Sequence, residues 1–186
     1  MVNHESEITW MDVNHREVYT GSISKMFGRY AARAIVSPNG LMRIEFNSDR
    51  NVVKVPDWRG WSDLIMLGRE EGITDWIVLT TTRGKQITAT HNTLVPIYDT
   101  SQVTSGFHGE TKYAYTLTRF DSVVPGDTVR VRHQVNDDDI SIDFDHVSKI
   151  EIIGNSLGPM IGYDIVTKSG FYNCNDFYLW TGIGIY

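Results

Sequence analysis

The residues with the most pointed chemistry lie in the stretch 81–96, Thr-Thr-Arg-Gly-Lys-Gln-Ile-Thr-Ala-Thr-His-Asn-Thr-Leu-Val-Pro. Thr88 and His91 stand three residues apart at the end of a β-prone run. If the chain curls back after Thr88, the hydroxyl and the imidazole face one peptide group. Such a pair can polarise a carbonyl and protonate a leaving amide nitrogen. Taken by itself, the same spacing also fits an ordinary strand-to-loop junction.

The elements around the pair follow from periodicity. Ile77–Thr80 is β-branched and apolar, Arg83-Gly84-Lys85 is a turn, and Gln86–Thr88 is a second strand, so the pair sits on a hairpin. Upstream, Glu7–Met11 alternates as a strand and Glu17–Thr20 is a second one. Ser22 is placed to cap a short helix running to about Ala34. Strands are predicted at 41–46, 52–55, 64–67 and 76–80, with Glu70-Glu71-Gly72 as a connection. Trp58 and Trp61 flank a turn and are expected to cover a sheet end. The polar region from Asp99 to about Lys112 reads as a connection or an insertion point. Further strands are predicted at 113–117, 128–131, 140–144, 147–153 and 163–167, and 175–186 is aromatic and β-prone. Many short strands, frequent turns and one short helix predict an all-β domain spanning residues 1–186.

Composition narrows the function classes. The net charge of −6 over 186 residues gives no basic footprint for nucleic acid. The single cysteine, Cys174, excludes an internal disulfide and a cysteine-rich metal site. It fits an intracellular protein, and no apolar run reaches the length of a membrane span. No phosphate-cradling glycine loop, dinucleotide fingerprint or His-Glu-x-x-His is present. None of the remaining histidines, His4, His15, His108, His133 and His146, has a partner at metal-ligand spacing, and the acidic run Asn136–Asp139 reads as a solvated loop. No metal and no cofactor is expected.

Three separated segments then agree. The opening Met1-Val2-Asn3-His4-Glu5-Ser6-Glu7-Ile8 with Val18–Phe27, the block from Asp57 to Val95, and the stretch Gly162–Thr167 with Asn175–Leu179 and Thr181–Tyr186 are similar to the splicing blocks of inteins. The chain resembles the self-splicing Hint domain, in particular inteins of family B DNA polymerases. The resemblance implies an all-β, horseshoe-like fold with a short helix near the N-terminus and both termini at its centre. It implies acyl shift, transesterification and cyclisation of a terminal Asn, with the chain itself as substrate and no cofactor. On this resemblance His91 donates the proton, Thr88 is its hydrogen-bonding partner, Asp164 tunes the first nucleophile, and Met1 occupies the nucleophile position. The implied partners are flanking extein segments, with a DNA polymerase as host, and a complementary fragment if the intein is split near 99–112. The implied location is the cytoplasm of a phage-infected or microbial cell.

The departures from the family are specific. Met1 stands where a Ser or Cys nucleophile belongs, and a thioether cannot be acylated to a neutral ester. The chain stops at Tyr186 without the terminal His-Asn, His4 replaces a glycine, and the spacing from Gly84 to Thr88 is short. The sequence therefore predicts a trimmed or inactivated splicing domain. It has room for an extra subdomain within 28–55 or 99–125, but not for a homing endonuclease. The alternatives are a non-enzymatic β-rich binding or viral structural module, and a Hint relative that cleaves without ligating.

Overall fold

The computed structural model describes residues 1–46, 52–105, 111–136 and 139–181. Among these, sixteen strands run β1 (Val2–Asn3), β2 (Glu7–Asp12), β3 (Glu17–Ser22), β4 (Ile35–Val36), β5 (Met42–Glu45), β6 (Val53–Asp57), β7 (Gly60–Ile73) and β8 (Trp76–Thr81). They continue with β9 (Gln86–Thr90), β10 (Leu94–Ser105), β11 (Thr111–Arg119), β12 (Thr128–Asn136), β13 (Asp139–Ile152), β14 (Met160–Thr167), β15 (Phe171–Cys174) and β16 (Phe177–Trp180). The helix α1 spans Ile23–Tyr30 and is followed by a short 3-10 turn, Ala31–Arg33. The fold is the all-β one expected, with a short helix near the N-terminus.

Local chemistry explains the elements. Ile23, Met26, Phe27 and Tyr30 are the buried residues of α1, the i, i+3, i+4, i+7 stripe of an amphipathic helix. Ser22 caps it by accepting a 3.4 Å hydrogen bond from the Lys25 amide. In β2 the side chains of Ile8, Trp10 and Asp12 turn inward on alternate positions. Asp12 is tolerated there because Tyr30 donates to it at 3.2 Å and the His15 ring sits 2.9 Å away.

The strands are continuous through hydrogen-bonded neighbours in the order β11-β10-β16-β12-β13-β8-β9-β1-β14-β7-β6-β2-β3, and the pairings between described strands are antiparallel. Beside this path β15 pairs with β16, and β5 joins β4 to β7. β1 therefore lies inside the sheet. Val2 faces Ala89 of β9 on one side and Tyr163 of β14 on the other, and it is fully buried. The core continues through Ile8, Met26, Leu67, Leu79, Ile87, Ile165 and Phe177.

Four segments differ from the sequence expectation. Residues 70–72 are not a connection: β7 runs unbroken through them, because β14 goes on pairing with it at Glu70 and Ile73. Segments 140–144 and 147–153 form one strand, β13, that pairs first with β12 and then with β8. The Asp99–Lys112 region is strand as far as Ser105 and again from Thr111, in the exposed outer half of the β10–β11 hairpin. β15 falls where no strand is predicted. It closes on β16 through a two-residue turn, Asn175–Asp176, with both residues at positive φ (48° and 67°), as a type I′ hairpin requires. Of the acidic run, Asp137 and Asp138 lie outside the described residues, as do His108 and Tyr186. Trp58 packs edge-on to Phe171 and under the Arg59 guanidinium, while Trp61 is 40% exposed. No described helix is long and apolar enough to cross a membrane.

Candidate functional site

The densest polar arrangement surrounds the first residue. β9 ends at Thr90, and its amide donates a 2.9 Å hydrogen bond to the Met1 carbonyl oxygen. The chain then turns, and the Thr93 amide closes the turn on the Thr90 carbonyl at 3.0 Å. This turn brings the two hydroxyls within 3.1 Å of each other. β14, on the other side of β1, supplies Asp164.

The Met1 ammonium has three protons and three acceptors: Thr90 Oγ1 at 3.0 Å, Thr93 Oγ1 at 2.9 Å and Asp164 Oδ1 at 3.3 Å. Both hydroxyl protons also have a destination. Thr93 donates to the Met1 carbonyl at 3.0 Å, and Thr90 donates to Asn92 Oδ1 at 2.7 Å. Thr93 thus touches both ends of residue 1. Gly162, facing Asn3, makes room for this residue. A Cβ there would stand 2.9 Å from Met1 Sδ, 3.2 Å from Met1 Cβ and 3.3 Å from an Ile73 methylene.

Met1 opens onto a cleft of about 370 Å³. Among the described residues its carboxylate and imidazole lining is Glu70, Asp75, His91 and Asp164, with no lysine or arginine. Tyr172 and the end of β16, Trp180 and Thr181, line the same cleft, so the last described residues share it with the first. Tyr172 is 2% exposed; burial pushes its phenol well above the ordinary value, with the negative charge of Asp164 adding to the effect.

The residues singled out from the sequence fall unequally around this cleft. Met1 and Asp164 meet directly. His91 is in the turn after β9, but its Nδ1 pairs with the Asp75 carboxylate at the rim, and it makes no hydrogen bond to Met1. Thr88 pairs with Val78 in the β8–β9 ladder and does not line the cleft. It lies on the same face as Thr90 but one pleat step earlier, about 7 Å along the strand. The hydroxyls that reach residue 1 are those of Thr90 and Thr93. The sequence carries a signal for them, a Thr-x-x-Thr spacing two residues downstream of Thr88-x-x-His91. Glu70, Asp75 and Tyr172 carried no such signal.

Cys174 is fully buried, and burial pushes its thiol up to about 12, beyond nucleophilic use. Among the described residues no group of three or more His, Cys, Asp or Glu side chains is arranged to hold a metal ion.

The all-β architecture, with its short helix near the N-terminus and one large antiparallel sheet, is that of the intein fold. The transcription factor IIB Mvu mini-intein superposes with a TM-score of 0.71 at 12% identity, over 97% of this chain and 98% of that one. An intein from a hyperthermophile gives 0.73 at 11% identity, over 97% and 98%. The Pab PolII intein, solved in solution, gives 0.67 at 11%, over 98% and 100%. No family model and no curated protein sequence matches the chain.

Proposed function

We propose that this chain is a protein-splicing domain and that the Thr90–Thr93–Asp164 cluster drives the first step, the acyl shift at the N-terminal junction. One observation carries the reading: the three acceptors that saturate the three protons of the Met1 ammonium. In a precursor with residues ahead of Met1, this nitrogen is an amide with a single proton. When a hydroxyl or thiol at position 1 attacks the preceding carbonyl carbon, a C–O or C–S bond forms and the C–N bond breaks. The nucleophile's proton passes to nitrogen, which takes a further proton to become an ammonium. The free ammonium of Met1 has the form of that product. Three acceptors, one of them charged, hold the ammonium better than they hold an amide, and this difference favours an otherwise uphill exchange.

In this reading Met1, whose side chain cannot accept the acyl group, leaves the first step idle. Trp180 and Thr181, the last described residues, line the same cleft. The substrate is the chain itself with its flanking exteins. The opening motif favours a DNA polymerase host, and the cytoplasm is where such a host is made. Residues 1–186 act as one Hint domain. The β10–β11 hairpin is the place where a division into two associating fragments would disturb the core least, because β10 beyond Tyr98 is exposed.

The test restores the missing groups. Met1→Ser and Met1→Cys, with a short extension ending in His-Asn after Tyr186, are placed between two reporter proteins, with Ser as the first downstream residue. The expected result is ligated reporters, lost on Asp164→Ala. A well-folded, uncleaved fusion across several flanking sequences overturns the reading.

A further inference from the structure

Resting on the reading above, we infer that the cleft selects a basic extein segment ahead of position 1. A residue bonded to the Met1 nitrogen leaves it one of its three protons. Its Cα lies about 3.8 Å from that of Met1, so it must enter the cleft. The cleft wall there is one-signed. Asp164 is held by the Met1 ammonium and Asp75 by His91, while Glu70 has no ion-pair partner among the described residues. Nor does any described lysine or arginine line the cleft.

In a precursor the Met1 nitrogen is an uncharged amide, so Asp164 loses its counter-charge as well. Two carboxylates, Glu70 and Asp164, then face the incoming segment from adjacent strands β7 and β14, and the third, Asp75, leaves its charge shared with an imidazole. The two strands are bonded in this region, with Gly162 opposite Glu70 and Asp164 opposite Gly68. Asp164 is about one-third exposed, so the cleft screens these charges less than open surface does. A lysine or arginine in the entering segment neutralises the wall, a neutral residue leaves it uncompensated, and an acidic one is repelled. The specificity sits mainly on Glu70, because no ion pair among the described residues compensates its charge whatever the state of the junction.

The experiment uses the whole chain with a short tag ahead of Met1, carrying lysine, glutamine or glutamate in the positions nearest Met1. With Met1 retained no chemistry intervenes, and the urea midpoint reads the interaction directly. The expected order is lysine above glutamine above glutamate, with the spread narrowing in high salt and on Glu70→Gln. With Met1→Cys, thioester trapping by an added thiol reports separately whether the first step runs at all. Equal midpoints for the three tags, or a spread that Glu70→Gln leaves intact, overturn the inference. Should no tag yield trapped thioester from a folded Met1→Cys chain, the splicing reading fails, while the midpoints still decide whether the cleft prefers a basic segment.

Discussion

The Thr93 hydroxyl lies 2.9 Å from the Met1 nitrogen and 3.0 Å from the Met1 carbonyl oxygen, so one side chain spans the first residue from end to end. Under the splicing reading, removing this hydroxyl withdraws a group from the breaking bond. Thr93→Val in a Met1→Cys background is expected to slow thioester formation by about ten- to a hundredfold, near the cost of losing one hydrogen-bond acceptor to the forming ammonium. His91→Ala is expected to change the same rate by less than about threefold, since its ring is committed to Asp75. Thiol trapping followed by mass spectrometry measures both. The reverse ranking would return the chemistry to His91.

Gly162 is the second constraint on residue 1. Because a methyl group there meets Met1 at 2.9–3.2 Å and Ile73 at 3.3 Å, Gly162→Ala must displace one of them. The expected cost is about 1–3 kcal/mol of stability, the range for overpacking, read from the shift in urea midpoint. Met1→Ala should relieve part of it, because the nearest contacts are to the Met1 side chain; additive effects of the two changes would show that Ile73 is what yields.

Asp145 carries an acid-sensitive part of the fold. It is 2% exposed, and burial alone would raise its pKa, but hydrogen bonds from the Thr81 and Thr82 hydroxyls and from the His146 and Arg83 amides outweigh burial and hold it below the ordinary carboxylate value. A carboxyl with a depressed folded pKa stabilises the protein above its unfolded pKa, near 3.9, and that contribution is lost as pH falls through the folded value. Stability should therefore drop below about pH 4, and Asp145→Asn should flatten that limb while costing about 1–3 kcal/mol at neutral pH. Urea unfolding of both proteins across this pH range gives the comparison.

Cys174 offers a probe of unfolding. With its thiol pushed up to about 12 and no exposed surface, only about one molecule in ten thousand carries the thiolate at pH 8. Iodoacetamide should leave the native protein unmodified and label it fully in denaturant. Labelling in native buffer at the rate of a free peptide thiol would mean that the β15–β16 hairpin opens on its own.

Much of the fold can be read from local pattern. The inward alternation of Ile8 and Trp10 and the Ile23-Met26-Phe27-Tyr30 stripe are short-range signals that the sheet does not override. The segment Glu70–Gly72 misleads because its charges mimic a turn; pairing with β14 makes it strand, and Glu70 is polar because it faces the cleft. Phe171–Cys174 is buried at all four positions and has no alternation to detect. Asp164 and Met1 stand out in the sequence as site residues, and in the fold they meet. The threonines are harder. Thr88, Thr90 and Thr93 are chemically alike, and which of them reaches residue 1 depends on the pairing of Val2 with Ala89, a register set between strands far apart in sequence.

That register has a consequence for timing. β1 is two residues long and is held by β9, nearly ninety positions later, and by β14, about one hundred and sixty positions later. Contacts across such separations form late, after the long loops between them have closed. During synthesis the first residues emerge from the ribosome long before Asp164 exists, so the cluster around residue 1 is absent while the chain is incomplete. Under the splicing reading, with a nucleophile at position 1, the sheet order works as a completion check: no cut is made until nearly the whole domain has been made and folded around its own beginning.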